Sequence, residues 1–258
     1  MKLTLTAVEN IPMVEPGDDL VEQICVGLES MNESLLDGDI LVLAQKIVSK
    51  AENRYVDLKS VVPSAEAISL GLEVDKDPRK VQVILDESNE VVRKRPGVLI
   101  VEHRLGFVAA NAGIDQSNIQ KSGVEGDDLC LLLPVDADAS AENLRATIEL
   151  RLGVKVGVII NDSIGRAWRM GTVGLAIGVA GMTALEDYVG GEDIYGRELL
   201  VTQVAAADEL AAGASLVMGQ TTEKAPVVLA RGYQSRVDNP EVTGVQPLLR
   251  PKAMDMFR

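Results

Sequence analysis

The chain has 258 residues and a formal net charge of −14 at pH 7, and 47% of its residues are hydrophobic. This length allows a substantial core in one large domain or two lobes, whereas the charge argues against a general nucleic-acid-binding protein, which needs a basic face. No uncharged apolar run approaches the roughly 18 to 20 residues of a membrane span, and the N-terminus does not resemble a signal peptide. We therefore expect a cytoplasmic protein.

Cysteine and histidine are rare, which restricts the chemistry further. Cys25 and Cys130 lie far apart, so there is no disulfide framework and no Cys-x-x-Cys motif, and we expect two buried thiols. His103 is the single histidine, and no His-Glu-x-x-His pattern surrounds it. We expect it to be a hydrogen-bonded structural residue.

The first 60 residues predict a strand over residues 1–10, a helix after the turn at residues 15–19 and a buried strand over residues 40–44. The helix has one apolar face, with spacings of four, four and three, formed by Leu20, Ile24, Leu28 and Met31. Two lysines, Lys46 and Lys50, follow the second strand directly.

Helices are expected next. Ser64 and Asp77 are typical helix-starting residues, and the second helix is predicted to continue to Ser88. The basic run at residues 93–95 is typical of a solvated turn.

Three strands are predicted between residues 98 and 133, over residues 98–101, 105–109 and 129–133. A polar segment over residues 111–118 follows the second of these strands, and it contains Asp115.

A dense polar motif lies near residue 160. A helix capped by Ser140 and ended by Gly153 precedes a buried strand over residues 154–160. Residues 161–169 then combine an acid, a hydroxyl, two arginines and the single tryptophan. A strand that ends in Asp-Ser carries polar groups to the edge of a sheet, where α/β proteins tend to bind ligands.

The last part of the chain begins with glycines that indicate close backbone packing or a sharply turning strand pair, at Gly171, Gly174, Gly178 and Gly181. A helix over residues 202–216, a polar loop over residues 218–225 and a strand over residues 226–230 follow. Prolines after Gly232 indicate an extended, partly mobile tail.

Hard oxygen ligands lie on three of the predicted loops, and they are the set expected around Mg²⁺ or Mn²⁺ that bridges phosphate oxygens. They are Asp115, Asp162, Ser163 and Gln220. The alternative is that the two aspartates are turn residues that satisfy their own backbone. The nucleotide-binding motifs Gly-x-x-x-x-Gly-Lys-Ser/Thr and Gly-x-Gly-x-x-Gly are both absent from the sequence. Any nucleotide must therefore be bound by a different motif.

The cationic residues also have two interpretations. Arg166 and Arg169 are suited to bind phosphate or carboxylate beside a stacking Trp168, or they form surface ion pairs beside a core tryptophan. Lys46 and Lys50 are phosphate ligands or part of a solvated helix face.

Four ordered motifs resemble those of the coenzyme F420-0:L-glutamate ligase family, also called F420 γ-glutamyl ligase. They occupy residues 43–52, 110–118, 161–169, and 207–211 with 217–220. The resemblance extends from about Ile11 to Gly232, and four motifs in order are far more specific than any one of them.

This resemblance implies an α+β protein of two intimately packed lobes with mixed sheets, which works as a homodimer. It implies a GTP-dependent amide ligase that adds L-glutamate to coenzyme F420-0 and then γ-linked glutamate to the product, through an acyl phosphate. Its cofactors would be GTP and two Mg²⁺ or Mn²⁺ ions. A monovalent cation is an additional candidate cofactor. We expect residues 1–258 to form one ligase module without a C-terminal reductase-like domain.

The resemblance also implies roles for individual residues. Asp115 and Asp162 would hold one metal, with Ser163 and Gln220 near a second, and Asp162, Arg166 and Arg169 are the expected catalytic residues. The expected GTP contacts are Ile11, Pro12, Met13, Val14, Gln45, Lys46, Lys50, Asn118, Met218, Gly219, Gln220, Thr221, Thr222, Glu223, Lys224 and Ala225.

Two other functions stay open. One is a related nucleotide-dependent ligase that joins an amino acid to a different carboxylate, and the other is a GTP-binding regulator without turnover. In each case we expect small-molecule ligands and neither a nucleic-acid nor a membrane partner.

Overall fold

The computed structural model describes residues 2–237 and 244–256. In these ranges the helices are α1 (Leu20–Ser30), α2 (Gln45–Ala51), α3 (Ala65–Val74), α4 (Pro78–Asp86), α5 (Ala137–Leu152) and α6 (Ala206–Met218). The strands are β1 (Thr4–Ala7), β2 (Ile40–Ala44), β3 (Tyr55–Asp57), β4 (Ser88–Arg95), β5 (Val98–His103), β6 (Val108–Ala110), β7 (Leu129–Leu131), β8 (Gly157–Gly165), β9 (Thr172–Ala180), β10 (Glu186–Asp187), β11 (Gln203–Val204) and β12 (Val227–Arg231). No helix in the described ranges is long and apolar enough to cross a membrane.

A mixed five-stranded sheet forms the larger lobe, in the order β1-β12-β2-β8-β9. Among the described strands of this sheet, only the β2–β8 pair is parallel. Side chains alternate between the two faces of β2: Leu41 and Leu43 pack in the core with α1 and α5, whereas Ile40 and Val42 pack against α6. Each face of the sheet is therefore covered by helices.

The smaller lobe is built from the chain between α2 and α5. It contains α3, α4, a two-stranded β3–β7 sheet and a three-stranded β4-β5-β6 sheet. Leu58, Val81, Ile84 and Leu99 belong to a hydrophobic cluster of its own. The predicted α+β class with two packed lobes and mixed sheets is thus confirmed.

Several predicted helix boundaries are confirmed by their capping contacts. The side chains of Asp19, Ser64 and Asp77 accept backbone N–H groups at the starts of α1, α3 and α4. Gly153 ends α5 in the left-handed conformation, at φ 72°. The predicted cap of α5 is wrong, because Asp136 accepts the Ala139 N–H and the helix begins at residue 137.

Four further expectations are wrong. Residues 93–95 are not a turn but the end of β4, where they pair with β5, and Ser88 begins this strand instead of ending a helix. The strand expected over residues 105–109 begins only at residue 108, because Gly106 turns the chain at φ 94°. Cys25 is half-buried, although Cys130 is buried as expected.

The C-terminal tail differs from the extended conformation that its prolines predicted. The predictions for Met1 and Pro240 lie outside the described residues. Within the tail, residues 246–248 and 252–254 form short 3₁₀ helices and are not extended.

The glycines of β9 allow two helices to approach the sheet. A Cβ atom on Gly174 would collide with the Ala211 carbonyl oxygen of α6, and one on Gly178 would collide with the Ala137 carbonyl oxygen of α5. The two glycines face opposite helices although they are four residues apart, because the β8–β9 register shifts between Ile160 and Asn161. The predicted close packing is confirmed.

His103 is a structural residue of the smaller lobe. Its ring is 2% exposed and stacks on Phe107 at a centroid distance of 5.2 Å, and its Nδ1 accepts the Leu105 N–H. Burial, assisted by the charges of Arg104 and Arg54, lowers the pKa of His103 to about 4. Its Nε2 lies 3.8 Å from the Glu87 carboxylate, which is itself paired with Arg54.

This depressed pKa predicts a pH-dependent loss of stability. Between pH 6.5 and 4 the unfolded chain binds a proton at His103 that the folded protein does not, so stability falls as pH falls through this window. Between pH 7.5 and pH 5 the wild type should lose about 2 kcal/mol more free energy of unfolding than His103→Gln. Urea unfolding of both proteins at the two pH values measures this, and equal losses would contradict it.

Candidate functional site

A cavity of about 620 Å³ opens where the edge of the central sheet meets the smaller lobe. Its position follows from the parallel pairing of β2 and β8, in which Ala44 lies opposite Asn161. The carboxyl ends of neighbouring parallel strands meet at one edge of a sheet, so Gln45 of α2 and Asp162 of β8 reach the same space. The cavity is lined by Thr172 and by residues from five segments, at 11–14, 44–50, 115–120, 161–163 and 218–226.

All the predicted GTP contacts and all four predicted metal ligands line this cavity. They come from five separate segments that are up to 214 positions apart in the chain, between Ile11 and Ala225. The structure therefore brings these side chains together, whereas their individual roles remain predictions.

Asp162 lies in a different local structure from the one expected. The strand does not end at residue 160 but continues to Gly165, and Asp162 pairs with Leu175 of β9. The register shift at Ile160 and Asn161 lies just before it, and such bulges bend a strand and re-aim its side chains. Asp162 is a strand residue that faces the cavity.

Two carboxylates dominate the electrostatics of the cavity. The Asp115 carboxylate accepts the Gln45 Nε2–H at 2.7 Å and lies 3.3 Å from Lys46 Nζ, while Asp162 Oδ1 accepts the Ser163 N–H at 2.8 Å. Burial raises the pKa of both groups. The nearby charge of Asp115 contributes further to Asp162, whose pKa is raised to about 7. A second anion here is therefore costly in the absence of a cation.

The donor set fits a hard divalent cation. Two carboxylates, the Ser163 hydroxyl and the Gln220 side chain are oxygen donors, and Gln220 donates through Nε2 to Ser215 Oγ, so its amide oxygen is available. Within the described ranges there is no cluster of three or more His, Cys, Asp or Glu residues that could hold a metal ion. Mg²⁺ and Mn²⁺ sites use one or two protein carboxylates and complete their coordination with water and substrate oxygens, so the two aspartates would be sufficient.

Lys50 connects two walls of the cavity. It is 7% exposed, and its Nζ donates to the Asn118 carbonyl oxygen at 2.9 Å. Burial, followed by the charge of Lys46, lowers the pKa of Lys50. The Asn118 side chain in turn donates to the Thr221 carbonyl oxygen at 3.2 Å. This hydrogen-bonded chain holds the segments of the smaller lobe and of the loop after α6 against α2.

The chain is similar in sequence to known proteins. Residues 9–232 match the family described as F420-0:gamma-glutamyl ligase. The chain is 46% identical over 261 residues to the coenzyme F420:L-glutamate ligase of Methanothermobacter thermautotrophicus, with both chains covered completely. It is 47% identical to the protein of that name from Methanocaldococcus jannaschii, covering 86% of this chain and 85% of the relative. The relative from Methanopyrus kandleri is 42% identical, with 97% of each chain covered.

The chain belongs to the F420 γ-glutamyl ligase family. The resemblance predicted from the four motifs is thus confirmed, and it covers nearly the same residues as the family match. For a member of this family, the cavity is the natural candidate for the active site because it gathers all the predicted GTP contacts and metal ligands.

Two predicted catalytic residues lie outside the cavity, on the hairpin between β8 and β9. Arg166 and Arg169 are exposed at its tip and do not line the cavity. Trp168 has φ 65° and is 86% exposed, so the alternative of a core tryptophan is wrong. In this family member any catalytic contact of the two arginines requires a substrate or a neighbouring chain that extends beyond the cavity, and their role stays a prediction.

Some lining residues were not predicted. They are Ala44, Ile47, Ser117, Ile119, Gln120, Asn161, Thr172 and Pro226. Most of them adjoin predicted residues, so an extension of each motif by one or two positions would have found them. Thr172 is the exception, because it reaches the site only through its pairing with Gly165 across the hairpin.

The carboxylate pair predicts the effect of Asp162→Asn on metal binding. Without metal at pH 8, the variant should be more stable than the wild type by about 1 to 2 kcal/mol, because one of two adjacent anions is removed. Mn²⁺ should raise the melting temperature of the wild type but not of the variant. Thermal unfolding with and without Mn²⁺ measures both effects.

Asp127→Asn is the matched control, because Asp127 is an exposed carboxylate outside the cavity. A Mn²⁺ response of Asp162→Asn equal to that of this control and of the wild type would show that Asp162 does not hold the metal.

Proposed function

We propose that the chain is a GTP-dependent ligase that joins L-glutamate to the carboxylate of coenzyme F420-0 and then adds γ-linked glutamate. The named relatives support the ligase activity and its substrates. The observation that carries the GTP and metal requirement is one cavity in which Asp115 and Asp162 face Lys46 and Lys50. Two carboxylates and two lysines in one cavity are suited to bind a polyanionic nucleotide together with divalent cations.

The reaction needs activation because a carboxylate does not form an amide with an amine at neutral pH. In the first step the acceptor carboxylate oxygen attacks the γ-phosphorus of GTP, and the bond to the β-phosphate oxygen breaks to release GDP. In the second step the glutamate nitrogen attacks the carbonyl carbon of the acyl phosphate. Inorganic phosphate leaves with the C–O electron pair, and the nitrogen loses a proton.

Residues of the chain would supply position and charge. Asp115, Asp162, Ser163 and the Gln220 amide oxygen would hold two divalent cations, which when bound neutralise charge on the phosphate oxygens. Lys46 lies 3.3 Å from Asp115, where it offsets the carboxylate charge. Catalysis of this kind depends on positioning and electrostatics and requires no histidine or cysteine nucleophile.

Lys50 would bind a phosphate oxygen by changing its partner. In the structure its Nζ donates to the Asn118 carbonyl oxygen. Hydrogen bonds between charged groups are shorter and stronger than those to a neutral carbonyl, so a phosphate at this position would compete well for the ammonium group.

A cytoplasmic location remains an expectation of the same proposal.

Turnover of the wild type is the direct test. With F420-0, GTP, L-glutamate and Mn²⁺ or Mg²⁺, we expect a product heavier by one glutamate residue for each phosphate released, and Asp162→Asn should lower the rate by at least about a hundredfold. Mass spectrometry and a phosphate assay measure both, with Asp127→Asn as the control.

Different outcomes separate the alternatives. Folded protein that forms no glutamylated product from authentic F420-0 would refute the proposal. GTP binding without phosphate release would then support a regulator, whereas phosphate release with a different carboxylate would support a related ligase.

We also propose that the enzyme is a homodimer, through two exposed hairpins of opposite charge. The β8–β9 tip carries Arg166 and Arg169 beside exposed Met170. The segment between β10 and β11 is acidic, with exposed apolar side chains at Val189, Ile194, Tyr195, Leu200 and Val201. Exposed apolar patches with complementary charge are typical of protein interfaces.

The dimer predicts a sedimentation mass of two chains for the wild type. Ile194→Glu places a charge in the apolar segment without disturbing a core, because this side chain is 91% exposed. The variant should sediment as a monomer or show a much weaker dimer, and analytical ultracentrifugation measures this. A monomeric wild type would refute the proposed assembly.

A further inference from the structure

The motif over residues 207–211 contains an aspartate to which the proposed chemistry gives no role. Asp208 lies in the first turn of α6, outside the cavity, and its Oδ1 accepts the backbone N–H of Ala176 in β9 at 3.0 Å. The helix comes close enough for this bond because β9 carries Gly174, where a Cβ atom would collide with the Ala211 carbonyl oxygen. Ala211 follows Asp208 by three residues, on the same face of the helix.

A second aspartate makes the same kind of contact with β9. Asp138 of α5 accepts the Val179 N–H through Oδ1 at 2.8 Å, and its carboxylate also accepts the Val245 N–H. α5 packs on the face of the sheet opposite to α6. In the described part of the chain β9 is an edge strand, so the N–H groups on its outer side have no partner strand. The two carboxylates accept two of these N–H groups instead.

These two bonds lie on either side of a β-bulge. Ile160 and Asn161 are adjacent in β8, but their partners in β9 are two positions apart, so Ile177 between those partners is an extra residue. The N–H group that Asp208 accepts comes directly before Ile177, and the one that Asp138 accepts comes two residues after it. The chain is therefore held on both sides of the bulge.

The bulge lies beside Asp162, one of the two carboxylates of the cavity. Asp162 pairs with Leu175, and Leu175 directly precedes the Ala176 whose N–H Asp208 accepts. A bulge bends its strand and increases the local twist, so its shape sets the direction of nearby side chains. Metal sites tolerate errors of only about 0.2 Å in ligand distance. A small change of the bulge would therefore affect a cation bound between Asp162 and Asp115.

We propose that Asp208 and Asp138 are positioning residues, which hold the β9 bulge in the shape that directs Asp162 towards the cation. This inference rests on the proposed divalent-metal requirement. Neither residue lines the cavity, so both act through the backbone of β9 and β8. Capping of the sheet edge alone would stabilise the fold, but it would not predict an effect on metal affinity.

Variants of Asp208 separate the hydrogen bond from the charge. Asp208→Asn removes the charge but keeps an acceptor oxygen in the same place. Asp208→Glu keeps the charge but moves the carboxylate by one methylene group, and Asp208→Ala removes both charge and acceptor. If the hydrogen bond positions the bulge, the Asn variant should resemble the wild type and the other two should not.

The experiment measures the Kd for Mn²⁺ alone with the full chain, by electron paramagnetic resonance of free Mn²⁺, at a temperature where circular dichroism shows each variant folded. We expect Asp208→Ala and Asp208→Glu to raise the Kd by about tenfold, as for outer partners of metal ligands. Asp208→Asn should stay close to the wild type. Asp138→Ala, on the other side of the bulge, should also weaken binding.

Asp37→Ala is the matched control. The exposed Asp37 carboxylate also accepts a backbone N–H from a distant part of the chain, that of Lys155, two residues before the start of β8. Neither residue lines the cavity. This variant loses a comparable hydrogen bond, and its Kd for Mn²⁺ should equal that of the wild type.

The outcomes distinguish this inference from the proposed function. A wild type that binds no Mn²⁺ would refute the metal requirement, and this inference with it. If the wild type binds Mn²⁺ and Asp208→Glu keeps its Kd, the positioning role is wrong while the metal proposal stands. Equal weakening in Asp208→Asn and Asp208→Glu would also overturn it, because loss of the charge alone would then weaken binding. These two variants decide the matter even if Asp208→Ala does not fold.

Discussion

The parallel pairing of β2 with β8 is the constraint on which the rest of the site depends. In the part of the chain that the structure describes, it is the only parallel contact of the five-stranded sheet, and it brings the start of α2 and the Asp162 region to one edge. Because the paired strands point in the same direction, polar residues that follow β2 and those that end β8 must meet. The smaller lobe, inserted after α2, then needs only to supply Asp115 and Asn118 to close the cavity.

The local placement of charge allows an acidic chain to bind the anionic nucleotide that we propose as its ligand. The net charge is −14, yet Lys46 and Lys50 both lie in the cavity. Asp115 and Asp162 increase the negative charge there: burial raises the pKa of both groups, and the nearby charge of Asp115 raises the pKa of Asp162 further. A bound divalent cation would relieve this unfavourable arrangement, which connects the electrostatics of the protein to the proposed metal requirement.

Most elements could be predicted from local patterns, and the errors have physical causes. The buried strand at residues 40–44 and the caps at Asp19, Ser64 and Asp77 depend on nearby residues alone, so sequence spacing was sufficient. Residues 93–95 look like a solvated turn because they are charged, but pairing with β5 makes them a strand. Tertiary hydrogen bonding overrode local propensity there.

The residue types, their order and the family resemblance were determined by the sequence alone, because a motif is a property of neighbouring residues. Tertiary structure decided which of them share a space. It placed Asp162 inside a strand rather than after it, moved Arg166 and Arg169 to an exposed tip, and brought Glu223 into the cavity on a loop held by Asn118. The positions of these residues depend on strand register, a bulge and the packing of two lobes. Such contacts join residues that are far apart in the chain, so the local sequence does not indicate them.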